Sequence, residues 1–316
     1  MDDKKIAIFP ASGKLGRSLL RHISEAIDPN QLVLITRFPS KLDNYRDSGA
    51  IVRQADYDAP ETLENVFSGA NTLFLISYAS FEHEHRSKAH RTAIDCARRS
   101  GVKHIFYSSL AYGAGGGFSK AHVMQAHLDT ERYLAKISDE DASFSYTCIR
   151  EGLYSESFPI YTAFFSLKHP LDEIRIPHNG QAPGIAWAKI DELGEASAAI
   201  LLSSFHATHD EVRDKNRTIL LSGPREWSLT ETVQLLGRVI GKEVKIREVT
   251  VEEYVAQPHV SEAHTIKGKK MGKEWATAFE AIRDGEASIV TLSLKEILGR
   301  EPEDFETTVR NLVANA

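Results

Sequence analysis

The sequence predicts an α/β fold, a doubly wound parallel sheet followed by a smaller mixed α/β region. Three observations lead there. Short apolar runs alternate with helix-period segments between residues 5 and 150. A glycine-bearing turn, "PASGKLG" (10–16), stands between the first run and the first helical stripe. After residue 150 the alternation stops. Successive strands separated by single helices call for a parallel sheet, because parallel neighbours need crossover connections that cover both faces.

"KIAIF" (5–9) has no helical period, the pattern of a strand buried on both faces. "KLGRSLLRHISEAI" (14–27) places Leu15, Leu19, Leu20, Ile23 and Ile27 on one helical stripe. "QLVLITR" (31–37) is the second strand, and Pro39-Ser40 opens a short helix. "AIVRQADY" (50–57) alternates as a third strand. "APETLENVFSG" (59–69) predicts a helix, with Pro60 near its start, Gly69 at its end and Asp58 as its cap.

"NTLFLIS" (71–77) is the fourth strand, and residues 82–100 form a long helix closing at Gly101. "KHIFYSS" (103–109) is the fifth strand. A Gly-rich loop (113–117) leads to a helix around 120–137, and "FSYTCIR" (144–150) is the sixth strand. Beyond it, strands are expected at 218–223 and 243–249, and helices at 189–204, 228–240, 272–284 and 303–314. The expected division is a nucleotide-binding domain over 1–150, to which 185–222 partly returns, and a substrate or cap domain over 151–316.

Composition excludes several classes. Of 316 residues, 42% are hydrophobic, ample for a buried core. A net charge of −6 offers no electrostatic footprint for nucleic acid or an anionic membrane. The run Lys267, Lys269, Lys270 and Lys273 reads as a solvated loop or helix end. Cys96 and Cys148 are too few for a disulfide framework and read as small core residues. With no signal-peptide pattern and no apolar stretch of membrane-spanning length, a cytoplasmic location is expected.

The first strand–turn–helix carries the chemistry. Such a turn aims backbone N–H groups and the positive end of a helix at a pyrophosphate. Gly13 and Gly16 stand where close phosphate approach and close helix packing need a missing side chain. Ser12 adds a hydroxyl, and Lys14 and Leu15 complete the turn. Pro10 replaces the usual first glycine and removes one N–H.

At the end of the second strand an acid would accept the ribose 2′-hydroxyl of NAD. This chain has Arg37 there and Lys41 one helical turn on, cations that match a 2′-phosphate and favour NADP(H). Asp56 lies past the third strand, Ser77 and Tyr78 end the fourth, and Ser108 and Ser109 end the fifth. These positions face the crevice where open α/β sheets bind ligands.

"IAIFPASGKLG", "LITRFPSKL", "VRQADYDAPETLENVFSGANTLFLIS", "AIDCARRSGVKHIFYSSL" and "HLDTERYL" together resemble the NmrA-like family, atypical members of the short-chain dehydrogenase/reductase superfamily. "WAKIDELGEASAAIL" and "LKEILGREPEDFETTV" extend the likeness over nearly the whole chain. Within the family it is greatest to the NADPH-dependent quinone oxidoreductases. The resemblance implies a Rossmann domain with a small C-terminal substrate domain. It also implies NADP(H) at Ser12, Gly13, Leu15, Arg37, Asp56 and Ser77.

The superfamily's Tyr-x-x-x-Lys proton relay is missing. Tyr107, Tyr112 and Tyr133 are followed four residues later by Ala111, Gly116 and Ile137. Candidate proton-handling residues are therefore His127, Tyr154, Tyr112 and Lys120. His127 and Glu131 are i and i+4 on one helix, and "H-x-x-T-E" matches the quinone reductase relatives. Lys120 lies near the helix where phenylpropanoid-reducing relatives carry a lysine, at a different spacing. Quinone reduction needs little acid–base machinery, and the aromatic stretch 152–165 offers a pocket. "GGG" (115–117) reads as a lid beside the nicotinamide end. His83, His85 and His90 form no metal-site spacing, so no metal is expected.

The expected function is an NADPH-dependent oxidoreductase acting on a quinone, enone or related conjugated aromatic. The alternatives are a non-catalytic NADP(H)-sensing regulator that binds a protein partner, and a non-redox tailoring enzyme of secondary metabolism. A homodimer is compatible with all three readings.

Overall fold

The computed structural model describes residues 4–113, 116–205 and 214–315. The first half runs β1 (Ile6–Phe9), α1 (Lys14–Ile23), β2 (Leu32–Thr36), α2 (Asp43–Asp47), β3 (Ile51–Gln54), β4 (Thr72–Ile76), α3 (His83–Arg99), β5 (His104–Leu110), α4 (His122–Glu140) and β6 (Ser145–Glu151). The second half runs α5 (Phe158–Tyr161), β7 (Glu173–Ile176), α6 (Ile190–Phe205), β8 (Arg217–Leu221), α7 (Leu229–Ile240) and β9 (Lys245–Glu248). It closes with α8 (Val251–Val255), α9 (Pro258–Ala263), β10 (Thr265–Ile266), β11 (Lys269–Lys270), α10 (Gly272–Arg283), α11 (Ser293–Leu298) and α12 (Phe305–Ala314).

Seven strands form one parallel sheet in the order β3-β2-β1-β4-β5-β6-β8. The order reverses between β1 and β4, which opens a crevice at their C-terminal ends. The apolar runs are continuous because each strand buries both faces. Ile6 and Ile8 pack with α1 and α6 on one side, while Ala7 and Phe9 pack with α3 on the other. A third core holds Trp187, Trp227, Trp275, Phe279 and Phe305 of the second half.

Helix α6, close to the 189–204 expected, lies against α1, and glycine makes that contact possible. A Cβ on Gly194 would stand 2.5 Å from Ser18 Cβ and 2.8 Å from Leu19 N. The Ser18 hydroxyl donates to Asp191 Oδ1 across the same interface (2.8 Å). Helix α7 opens on a reciprocal capping box between Ser228 and Glu231 and closes on Gly241 in the left-handed region.

Three expectations fail locally. The helix expected over 59–69 is only a 3₁₀ turn, Pro60–Leu63. Arg53 Nη1 takes the carbonyls of Val66 (2.6 Å) and Ser68 (2.8 Å), and Asn65 adopts a positive φ of 59°, so helical pairing cannot continue. Asp58 caps nothing there; its carboxylate binds Tyr78, His85 and Lys267 instead. The strand expected over 243–249 shortens to β9 and pairs with β7, a strand the sequence reading did not anticipate. No helix of the described residues is long and apolar enough to cross a membrane.

Candidate functional site

The turn between β1 and α1 keeps its glycines for two different reasons. A Cβ on Gly16 would lie 2.6 Å from the Ala11 carbonyl oxygen and 2.7 Å from that of Pro10, so Gly16 lets the helix pack onto the strand end. A Cβ on Gly13 would meet nothing within 4 Å. Gly13 has φ −72°, so neither backbone conformation nor packing requires glycine there. The open space stands above the start of α1, which has no side-chain cap and no acid in its first turn. Its leading N–H groups therefore face that space with the positive helix end behind them.

Pro10 follows a cis peptide bond, and no residue from Pro10 to Gly16 has a positive φ. Ser12 Oγ lies 2.5 Å from Thr36 Oγ1, which also accepts from Phe38 N (3.2 Å). With Thr36 donating, Ser12 retains its own proton for an incoming oxygen.

Arg37 and Lys41 are both exposed at the end of β2, each over the Phe38 ring. The Arg37 guanidinium carbon lies 4.7 Å from the ring centre and Lys41 Nζ 5.0 Å. Asp56 Oδ2 stands 3.7 Å from Arg37 Nη1, and Asp56 Oδ1 accepts from Asp58 N. The expected cation pair and Asp56 are thus brought together at one edge of the crevice.

Past β4, Ser77 and Tyr78 begin a loop held from several directions. The Tyr78 hydroxyl donates to Asp58 (2.9 Å), which also binds His85 Nε2 (3.0 Å) and Lys267 Nζ (2.6 Å). Burial pushes the Asp58 carboxyl up, but the hydrogen bonds from Lys267, Tyr78 and His85 outweigh it and hold the group at about 2. Lys267 sits at the tip of the β10–β11 hairpin, and Lys269 of the same hairpin pairs with Glu82. Two of the four lysines read as a solvated run therefore tie the C-terminal region to the loops after β3 and β4.

Ser108 is buried at the end of β5, and Ser109 donates to Glu131 Oε1 (2.6 Å). Glu131 is gripped in turn by Arg150 of β6, through Nε (3.0 Å) and Nη2 (2.7 Å). Arg150 Nη2 also holds the Gly116 carbonyl (2.9 Å). The partners of Glu131 are therefore Ser109 and Arg150, not the His127 one turn before it. Of the anticipated glycine lid, Gly115 lies outside the described residues.

The candidate proton donors are placed as follows. His127 is 3% exposed, with Nε2 2.8 Å from Arg86 Nη2 and Nδ1 3.0 Å from the Tyr107 hydroxyl. Burial and the Arg86 charge hold its pKa well below the usual imidazole range. Lys120 is exposed and bound to Asp284 (2.5 Å), while its backbone N–H and the Ser119 hydroxyl are held by Glu286. Tyr112 is fully buried and Tyr154 mostly so, and burial raises both phenols. His83 and His85 bind Asp129 and Asp58.

In the aromatic stretch, Phe158, Tyr161 and Phe165 are core residues. Phe164 packs on His264 (5.1 Å), which stacks on Trp275 (5.6 Å). Phe81 of the β4–α3 loop reaches the same Trp275 (5.2 Å). Aromatic groups from both halves of the chain thus meet beside that loop.

Sequence reasoning missed Glu151. It is fully buried at the end of β6, with Oε1 accepting from Ser197 (3.0 Å) and Oε2 without a partner among the described residues. Burial pushes its carboxyl up to about 8. A carboxylate within "CIREGL" was the only signal, and the helix that buries it comes 39 residues or more later in the chain.

Residues 2–299 match the model of the NmrA-like family. The chain is 26% identical over 309 residues to the NmrA-like family domain-containing oxidoreductase flvB of Aspergillus flavus, covering 97% of this chain and 94% of that protein. It is 30% identical over 251 residues to quinone oxidoreductase 2 of Escherichia coli, covering 79% and 80%. Among solved structures, the Escherichia coli NADPH-dependent quinone oxidoreductase complexed with NADPH superimposes with a TM-score of 0.79 at 26% identity, over 98% and 99% of the two chains. The Citrobacter triphenylmethane reductase complexed with NADP(H) gives 0.74 at 25% identity, over 97% and 99%.

Proposed function

The chain belongs to the NmrA-like family, and from that premise we propose that this NAD(P)H-dependent oxidoreductase reduces a quinone, enone or related conjugated aromatic with NADPH. The observation that carries the cofactor end is the open space at Gly13, above the uncapped start of α1, with Arg37 and Lys41 exposed at the neighbouring strand end. A pyrophosphate fits the first and a 2′-phosphate the second. Relatives whose structures hold NADPH or NADP(H) support the same reading.

When bound, the reduced nicotinamide supplies a hydride. The chain's own work is to hold the dinucleotide at Ser12–Leu15, Arg37, Lys41 and Asp56, and to present its far end at Tyr78, Ser108 and Ser109. None of the four anticipated proton donors is tuned as an acid, and Glu151, the carboxyl that burial raises, is fully buried. Lys120 is committed to Asp284, His127 to Arg86 and Tyr107, and no cation lowers the phenols of Tyr112 or Tyr154. A quinone or enone suits such a site, because hydride addition to an electron-poor system leaves an anion that water can protonate.

The same absence of a tuned acid favours the second reading, an NADP(H)-sensing regulator. Mixing the protein with NADPH and a panel of quinones decides between them. Consumption of NADPH supports the reductase; tight NADP(H) binding without consumption supports the sensor.

A further inference from the structure

We propose that Arg86 and His90 are positioning residues for hydride transfer, gripping the backbone of Tyr78 so that the β4–α3 loop forms a fixed wall for the nicotinamide end of NADPH. The proposal rests on the reductase reading of the same crevice.

Arg86 and His90 are one turn apart on α3 and buried, at 3% and 0% exposure. Arg86 Nε donates to the Tyr78 carbonyl (3.0 Å), and His90 Nε2 accepts from the Tyr78 N–H (2.8 Å). Both polar groups of one residue are thus held from a single helix face. Tyr78 lies two residues beyond the end of β4, the strand that borders the topological switch point.

The grip is anchored further back. Arg86 Nη1 donates to the Val123 carbonyl (2.8 Å) at the start of α4, and Nη2 to His127 Nε2 (2.8 Å). These bonds settle both imidazole tautomers. His127 accepts at Nε2, so its Nδ1–H points to the Tyr107 oxygen (3.0 Å). His90 accepts at Nε2, so its Nδ1–H donates to Thr130 Oγ1 (2.9 Å). The Thr130 hydroxyl in turn donates to the Ala126 carbonyl (2.7 Å). Each imidazole works only while neutral, and burial, with the Arg86 charge adding to it, keeps both so.

Arg86 has a second property that packing alone does not explain. Among the described residues, no carboxylate lies within ion-pair distance of its guanidinium, although α3 carries acids elsewhere. Burying an unpaired cation is costly, and an apolar side chain would fill the volume at lower cost. What the guanidinium gives in return is three fixed donors, one of them on the crevice wall. Displacement of such a wall by about 1 Å is enough to cost up to a hundredfold in rate.

The test compares Arg86→Met, His90→Leu and His90→Gln with the wild type, reading hydrogen exchange over 77–81, NADPH affinity, fluorescence of bound NADPH, and kcat with a quinone. Arg86→Met and His90→Leu are expected to lower kcat about tenfold or more while NADPH affinity stays within about threefold, because the adenine end is untouched. Exchange over 77–81 rises and the nicotinamide fluorescence changes. His90→Gln, whose side-chain oxygen can accept from the Tyr78 N–H, recovers most of the loss. If Arg86→Met does not fold, the two His90 variants carry the comparison.

Unchanged kcat in the folded variants overturns the proposal, as does a parallel loss of kcat and NADPH affinity that Gln does not recover. If the wild type reduces no quinone, the reductase reading fails by itself. The wall is then judged by the fluorescence of bound NADPH, and an unchanged spectrum in Arg86→Met and His90→Leu overturns it.

Discussion

Gly16 stands so close to Ala11 that a Cβ on residue 16 would lie 2.6 Å from the Ala11 carbonyl oxygen, whereas a Cβ on Gly13 would touch nothing within 4 Å. The two glycines of one turn should therefore fail differently. Gly16→Ala forces helix and strand end apart and is expected to cost about 1–3 kcal/mol. Gly13→Ala is expected to leave stability within about 1 kcal/mol but to lower NADPH affinity about tenfold or more, because the new methyl fills the phosphate approach. Thermal unfolding and NADPH titration of both variants check the contrast.

Arg37 and Lys41 both lie over Phe38 in the open, with Arg37 3.7 Å from Asp56. Removing both cations, as Arg37→Ala with Lys41→Ala, is expected to weaken NADPH binding about tenfold or more and to leave NADH binding nearly unchanged. Equal losses for the two nucleotides would place the 2′-phosphate elsewhere.

How far a feature was legible depended on how local its cause was. The parallel sheet followed from apolar runs whose meaning lies within each run. Gly13, Gly16 and Arg37 were legible because the turn and the next strand end are set by short spacings. The missing helix at 59–69 was not, because Arg53 removes the Val66 and Ser68 carbonyls from another strand. The role of Asp58 depends on Lys267, 209 residues away. His127 stands out in the sequence for its i, i+4 spacing to Glu131. Its actual partners, Arg86 and Tyr107, come from two other elements, and Glu131 turns instead to Arg150.

Glu151 should set the alkaline limit of stability. Its carboxyl is raised to about 8 by burial, above its unfolded value, so the stability it contributes is complete at low pH. That contribution declines as pH rises from the unfolded value through about 8, at no more than about 1.4 kcal/mol per pH unit. Glu151→Gln keeps an acceptor for the Ser197 hydroxyl and removes the ionisation. Its unfolding temperature is expected to fall less than that of the wild type between neutral pH and pH ~9. Parallel curves would mean that Glu151 is already ionised in the folded protein.

The β10–β11 hairpin should loosen when its ion pairs are removed. Lys267 binds Asp58 and Lys269 binds Glu82, and both lysines are exposed, so each pair contributes little to global stability and is screened by salt. Lys267→Ala with Lys269→Ala is expected to raise hydrogen exchange over 264–270 with little change in unfolding temperature. High salt should produce the same effect in the wild type but none in the variant.

The most direct measurement is the oxidation of NADPH deuterated at the transferred C4 position, in the presence of a quinone and without oxygen. The account predicts steady turnover slowed by a primary isotope effect, with NADH at least about tenfold less efficient as donor. Tight binding of NADPH with no oxidation by any quinone or enone offered would contradict it.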